Sequence, residues 1–150
     1  MRPVLTIDLH LMLMDRGKVC LSLRFGTGFE DGNLGLVAGH LEANETLAQG
    51  MLREAREEIG IDITPADLRL VHIMHHRSDS DRLAVFFKCQ IWQGSPRNLE
   101  PHKCGGIRWV TLDTLDQVDN IVGYVRSALH YIRDGIPYSE HGGWGCSIPM

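Results

Sequence analysis

Leu5, Ile7, Leu9, Leu11 and Leu13 alternate with Thr6, Asp8, His10 and Met12, and this period of two predicts a strand with one face buried. Asp15-Arg16-Gly17 supplies turn chemistry. Val19, Leu21, Leu23 and Phe25 then alternate with Cys20, Ser22 and Arg24, which predicts a second strand paired to the first as a hairpin. Gly26, Gly28, Gly32, Asn33 and Gly35 make residues 26–35 a loop able to take positive-φ turns. The period changes at Thr46. From there to Ile59 no proline intervenes, and Ala48, Leu52, Ala55 and Ile59 fall on one face of an amphipathic helix that Gly60 closes. Strands are predicted at Leu68 to His75 and Leu83 to Trp92, the second with Val85, Phe87 and Cys89 on one face and Phe86 and Lys88 on the other. Ile107 to Leu112 is a shorter strand. Ile121, Val125, Ala128, Leu129 and Ile132 mark a second helix, ended by Gly135 and Pro137. The glycine-rich tail from Ile136 to Met150 has no periodicity and is expected to be irregular. Strands of mixed order with one helix in the middle and one near the end suggest a sheet covered on both faces. The expected fold is therefore α/β, an α/β/α sandwich, as one domain over residues 1–150.

Composition changes this picture little but narrows the function. With 150 residues, 43% of them hydrophobic, the chain is long enough for one core. A net charge of -4 offers no broad basic surface, so a long nucleic acid is not an expected partner, whereas a small phosphorylated ligand is compatible if a metal ion supplies local positive charge. The four cysteines, Cys20, Cys89, Cys104 and Cys146, lie far apart with no CxxC pair. That spacing fits a reducing cytoplasm better than a disulfide framework or a zinc ribbon. Asp8 and His10 interrupt the N-terminal apolar stretch and no small-residue cleavage site follows, so it reads as mature sequence. No apolar run reaches the length of a membrane span.

The chemistry concentrates on the first helix. Glu54, Glu57 and Glu58 stand at i, i+3 and i+4, so all three carboxylates are expected on one face, opposite the apolar stripe. The ordinary explanation for such a face is simple solvation. Two neighbours argue for more: Arg53 is four residues before Glu57 and can hold a carboxylate in place, and Gly50, one turn before Glu54, leaves the surface uncrowded. Hard divalent cations suit a set of clustered carboxylates, because Mg²⁺ takes oxygen ligands, keeps several waters and bridges to phosphate oxygens.

The spacing extends upstream to Gly39 and Glu45, and onward through Arg53-Glu54-Ala55-Arg56-Glu57-Glu58-Ile59-Gly60-Ile61. This stretch resembles the Nudix box, GX5EX7REUXEEXGU with U aliphatic. Seven exact letters at roughly 5–7% each would coincide in about one window in 10⁸ to 10⁹, so chance does not explain them. The resemblance implies a loop-helix-loop on an α/β/α sandwich, with a divalent metal, Mg²⁺ or else Mn²⁺, on the helix carboxylates. It also implies hydrolysis of a nucleoside diphosphate linked to another group, or of a nucleoside triphosphate. By position, Glu57 and Glu58 correspond to metal ligands, Glu54 to a ligand or the acceptor of the water's proton, and Arg53 and Glu45 to supports. The backbone carbonyl of Ala38 corresponds to a further ligand, and Glu100, in a loop some forty residues on, to an added acidic one. Two positions depart from the common pattern. Ala38 stands where a Gly-Gly pair often begins the box, and Asn44 precedes Glu45 where glycine is frequent, asparagine being the next best residue for a left-handed turn.

Other signals are ordinary until shown otherwise. His72, His75, His76, His102 and Cys104 complete no tetrahedral zinc pattern. Phe86, Phe87 and Trp92 are as suited to a core as to stacking on a base. Arg24, Arg77 and Arg82 are as suited to the surface as to gripping phosphate. Trp144 is a candidate cover for the site or for a partner chain, and oligomerisation as a homodimer stays open. No proline or tyrosine occurs between Ala66 and Gly94, which by the same resemblance disfavours the ADP-ribose and dinucleoside polyphosphate subclasses, and the coenzyme A motif upstream of the box is not visible. Two other readings remain beside a hydrolase: a catalytically silent nucleotide-sensing module of the same fold, and a zinc-dependent interaction protein built on the histidines.

Overall fold

A computed structural model describes residues 1–142. The first strand, β1 (Thr6–Asp15), turns through Arg16 (φ 51°) and Gly17 (φ 79°) into β2 (Lys18–Arg24), a two-residue turn whose two positive φ values match the twist of a hairpin. Short strands β3 (Leu34–Gly35) and β4 (Val37–His40) follow, then helix α1 (Leu47–Ile59), strands β5 (Arg69–Arg77), β6 (Asp81–Cys89) and β7 (Cys104–Thr111), helix α2 (Gly123–Arg133) and β8 (Tyr138–Gly142). These strands form one mixed sheet ordered β3-β2-β1-β6-β5-β8, with β4 added on β1 and β7 on β2. The β1–β6 and β5–β8 pairs are parallel and the others antiparallel.

Alternation along β1 separates two cores rather than core from solvent. Leu9, Leu11 and Leu13 pack with Val85, Phe87 and Cys89 against Met51, Ala55 and Ile59 of α1. Met12 and Met14 pack with Ala84 and Phe86 against Val125, Ala128 and Leu129 of α2. The expectation of one buried face is therefore corrected: a helix covers each side of the sheet, and even Asp8 and His10 are buried. Each fully buried Leu or Met side chain contributes about 1.5–3 kcal/mol. The α/β sandwich stands as expected.

Three other expectations change. The stretch over 26–35 is not loop to its end, because Leu34 and Gly35 pair with Leu23 and Ser22. The chain after Ile136 is not irregular throughout, since Tyr138 to Gly142 run parallel to Ile73 to Arg77. That strand is held by backbone pairing to a distant partner, which leaves no local period. On α1 the buried residues are Gly50, Met51, Glu54, Ala55 and Ile59, whereas Ala48 and Leu52 are only half-buried. Trp144 and Cys146 lie outside the described residues; Cys20, Cys89 and Cys104 are free thiols. Among the described residues no helix is long and apolar enough to cross a membrane.

Candidate active site

Helix α1 is anchored at both ends, which fixes the direction of its carboxylates. Thr46 Oγ1 accepts from the Gln49 N–H at 3.1 Å, while Gln49 Oε1 accepts from the Thr46 N–H at 2.8 Å, a reciprocal cap that satisfies two of the orphan donors of the first turn. Gly60 closes the helix at φ 70°, a left-handed conformation that glycine takes without steric cost. The loop carrying Glu100 then docks on that end: the Arg97 N–H donates to Ile59 O and the Leu99 N–H to Glu58 O, both at 3.0 Å. These bonds satisfy helix carbonyls that would otherwise lack partners, and they bring Glu100 close enough for its charge to act on Glu58.

Arg53 organises the acids. Its Nε and Nη2 donate to Glu45 Oε2 at 3.0 Å and Oε1 at 2.7 Å, Nη1 donates to Glu54 Oε1 at 2.8 Å, and Nη2 also reaches His40 O at 3.1 Å. Its bond to Glu57 is the longest, 3.3 Å. Arg53 thus clamps Glu45 and Glu54 first, not Glu57 as the spacing alone predicts. The fork geometry matches the two Glu45 oxygens, and these bonds, with one from the Glu42 N–H, hold the Glu45 carboxyl down to about 2. Glu45 follows Asn44 at φ 65°, so asparagine does take the left-handed turn there.

The three helix carboxylates do not share one environment. Glu54 is buried beside Ala55 rather than opposite the apolar stripe, Glu58 is half-buried, and Glu57 is exposed. Glu54 lies directly over Gly39 of β4, where a β-carbon would overlap its carboxylate. That overlap is the physical reason for glycine at position 39. Gly50 serves a similar purpose: a β-carbon there would stand 2.6 Å from Leu9 Cδ1 and 2.8 Å from Glu45 Oε1. Glu58 Oε2 accepts from the Ala38 N–H at 3.3 Å and is in hydrogen-bonding contact with Glu54. Burial, then the negative charges of Glu54 and Glu100, push the Glu58 carboxyl up to about 9. Burial also raises Glu54, against the pull of Arg53. Burial of the two carboxyls side by side thus disfavours their charged forms, a cost that a bound cation would relieve. Among the described residues no three His, Cys, Asp or Glu side chains converge to enclose a metal ion; the pair is Glu54 and Glu58, with Glu57 outside it on Arg53.

Beside this edge opens a cleft of about 320 Å³, lined by Ala38 and Gly39 of β4 and reaching to Asp8, His10, His76 and Arg82. The sequence named His76 and Arg82 only as ordinary signals, and it missed Asp8, His10 and the meeting of all four. Asp8 and His10 fall on the face that alternation assigns to solvent, and they meet His76 and Arg82 only through long-range pairing of β1, β6 and β5. Burial opposes the Asp8 charge, but His76, Arg82, His10 and His40 outweigh it and bring its carboxyl to about 2. Its Oδ1 receives His40 Nδ1 at 2.7 Å and Arg82 Nη1 at 3.0 Å. Burial holds His10 uncharged near neutrality, at about 4. Arg24 also lines the cleft, whereas Arg77 pairs with Asp81 at 2.6 Å. Phe86 is wholly buried and Trp92 stacks on Trp109, so neither is an open platform for a base. His72 is bonded within the fold to Ile136 O and Ser139 Oγ.

The fold and this site can be set beside known proteins. The NUDIX domain model matches residues 6–129. Phosphatase NudJ of Escherichia coli strain K12 is 31% identical over 84 residues, 56% of this chain and 55% of that protein, so the chain spans about half the length of the curated relatives it matches. The MutT NUDIX hydrolase of Burkholderia pseudomallei superposes with a TM-score of 0.77 at 23% identity, over 85% of this chain and 98% of that one. The MutT protein of Methanosarcina mazei Go1 superposes with a TM-score of 0.75 at 17% identity, over 86% and 93%. With the domain model spanning most of its length, and the box from Gly39 to Ile61 folded as a capped helix over a glycine, the chain belongs to the Nudix hydrolase family.

Proposed function

We propose that the chain is a Mg²⁺-dependent pyrophosphohydrolase, with Mn²⁺ able to substitute, that uses water to split a diphosphate linkage in a nucleoside diphosphate conjugate or a (deoxy)nucleoside triphosphate. The observation that carries this reading is the Glu54–Glu58 pair, two partly desolvated carboxyls pressed together against the backbone of Ala38. The donors are all oxygen, which suits a hard cation. Glu58 and Glu57 are the side chains that would hold it, with Glu54 a further ligand or the proton acceptor, and Glu100 beside them. In extended backbone a residue's N–H and C=O point to the same side, so the Ala38 carbonyl faces the side from which its N–H meets Glu58. When bound there, a cation would neutralise the diphosphate charge and would make a coordinated water more acidic.

The chain's own residues do the rest by positioning. Arg53 and Gly39 fix Glu54 between a guanidinium and the β4 backbone, a placement that suits it to take the proton of the attacking water. Arg53 is itself aimed by Glu45. Fixed groups of this kind lower the barrier by orientation and electrostatics. The names of the relatives, a phosphatase and MutT proteins, support hydrolysis of a phosphorylated substrate, and the cleft next to β4 is large enough to receive one.

A screen of nucleoside di- and triphosphates and nucleotide conjugates with Mg²⁺, read as released phosphate or pyrophosphate, tests the reading. Turnover of at least one class, abolished by EDTA, is expected. Tight binding of nucleotides with no release of either product would assign the chain to a silent sensing module instead.

A further inference from the structure

Between β6 and β7 one stretch of the chain reverses the usual sorting of side chains. Leu99 is 41% exposed, whereas its polar neighbours Asn98 and Glu100 are half-buried. Arg97, Pro101, His102 and Lys103 are exposed around them. Hydrophobic burial alone would turn Leu99 inward and send the amide and the carboxylate to water. Hydrogen bonds within the loop hold the opposite arrangement in place.

Asn98 closes this loop on itself. Its Oδ1 accepts from the Glu100 N–H at 3.0 Å, and its Nδ2 donates at 2.8 Å to the carbonyl of Cys104, the first residue of β7. One amide side chain thus serves a donor and an acceptor together, which neither serine nor aspartate can do at this length. Glu100 O in turn accepts from the Lys103 N–H at 2.9 Å and the Cys104 N–H at 2.8 Å, a turn whose backbone Pro101 presets through its fixed φ. The loop is also tied to two other parts of the fold. Leu99 N–H bonds Glu58 O on α1, and the Phe25 N–H, just past β2, bonds Lys103 O at 3.1 Å. Both backbone groups of Glu100 are therefore bonded, and side-chain rotation is the freedom left to its carboxylate. A ligand ordered in advance loses less freedom when its cation arrives.

We propose that Asn98 is a positioning residue for the cation site, holding the Glu100 backbone so that its carboxylate stands ready beside Glu58. This rests on the cation reading above and concerns how tightly the cation is held, not which substrate is taken. Asn98→Ala removes both bonds, Asn98→Ser keeps an acceptor for the Glu100 N–H alone, and Glu100→Gln removes the charge that is positioned. The readout is Mn²⁺ binding to the full chain without nucleotide, followed as loss of the free-ion EPR signal. Asn98→Ala is expected to weaken Mn²⁺ about 10-fold, the low end of the effect of partners that orient a metal ligand, and Asn98→Ser to weaken it less. In a Glu100→Gln background Asn98→Ala should have no further effect, because a residue that acts through Glu100 then has no charge to position.

Equal Mn²⁺ affinity in wild type and Asn98→Ala, or an undiminished loss in the Glu100→Gln background, would overturn the proposal and leave the cation reading in place. A wild type that takes up no Mn²⁺ would overturn both. Hydrogen exchange in EDTA supplies a check that needs no metal. The Glu100, Lys103 and Cys104 amides should exchange faster in Asn98→Ala than in wild type, while those of α1 keep their rates. Equal exchange at all three would overturn the proposal, since Asn98 would then not be what holds the loop.

Discussion

A β-carbon at position 39 has no room, because the Glu54 carboxylate occupies its place. Gly39→Ala should therefore displace Glu54 from Arg53 and from β4, and turnover is expected to fall by about 10² to 10⁴, the range associated with a lost general base. Circular dichroism should show the helix intact, and wild-type kinetics for this variant would separate Glu54 from the reaction. Arg53→Lys should recover only part of what Arg53→Ala loses, since a point charge cannot serve Glu45 and Glu54 together. At this scale the box was legible: glycine at 39, asparagine at a left-handed turn, and arginine beside acids each carry a local steric or electrostatic reason. Arg53's preference for Glu45 over Glu57 was not legible, because Glu45 lies before the helix and comes within reach only when the loop folds back. The meeting of Asp8 and His10 with His76 and Arg82 was hidden for the same reason on a larger span, their convergence being a property of strand pairing.

Helix α1 was predicted to within its capping residues, and its caps explain why: Thr46, Gln49 and Gly60 act on their own neighbours. Its orientation was less legible, since Glu54 is on the buried side and half-buried Leu52 is not at its centre. An acid placed there has a consequence for stability. Glu58, pushed up to about 9, keeps its proton when folded, whereas an unfolded glutamate has lost it above about pH 5. Between those limits the native state binds more protons than the unfolded chain, so stability falls as pH rises. His10 works in the opposite direction below its ordinary range, being held near 4 when folded, which makes about pH 7 to 9 the informative window. In EDTA the melting temperature should decline across that window, Glu58→Gln should flatten the decline, and Mg²⁺ should raise the melting temperature most at the upper end. A melting temperature that is level in EDTA and identical in Glu58→Gln would show that Glu58 is ionised without a cation.

For the molecule as a whole, periodicity predicted the sandwich because each long element has a strong local period and the two helices need a sheet between them. It did not predict β8, whose five residues pair in parallel with β5, nor the small strands β3 and β4 beside a glycine-rich loop. β4 matters most, for it joins the two halves of the site: its backbone meets Glu54 and Glu58 on one side and the cleft on the other. The central claim is that carboxylates gathered there hold a cation that drives diphosphate hydrolysis. The most direct test is the initial rate against Mg²⁺ concentration, from a chelated zero upward, for wild type, Glu57→Gln and Glu58→Gln on a substrate found by screening. The account predicts no turnover at zero metal, saturation in the wild type, and curves for both variants displaced to higher Mg²⁺ with partial recovery in excess. Full wild-type turnover in a rigorously metal-free preparation, or variant curves that overlay the wild type, would contradict it.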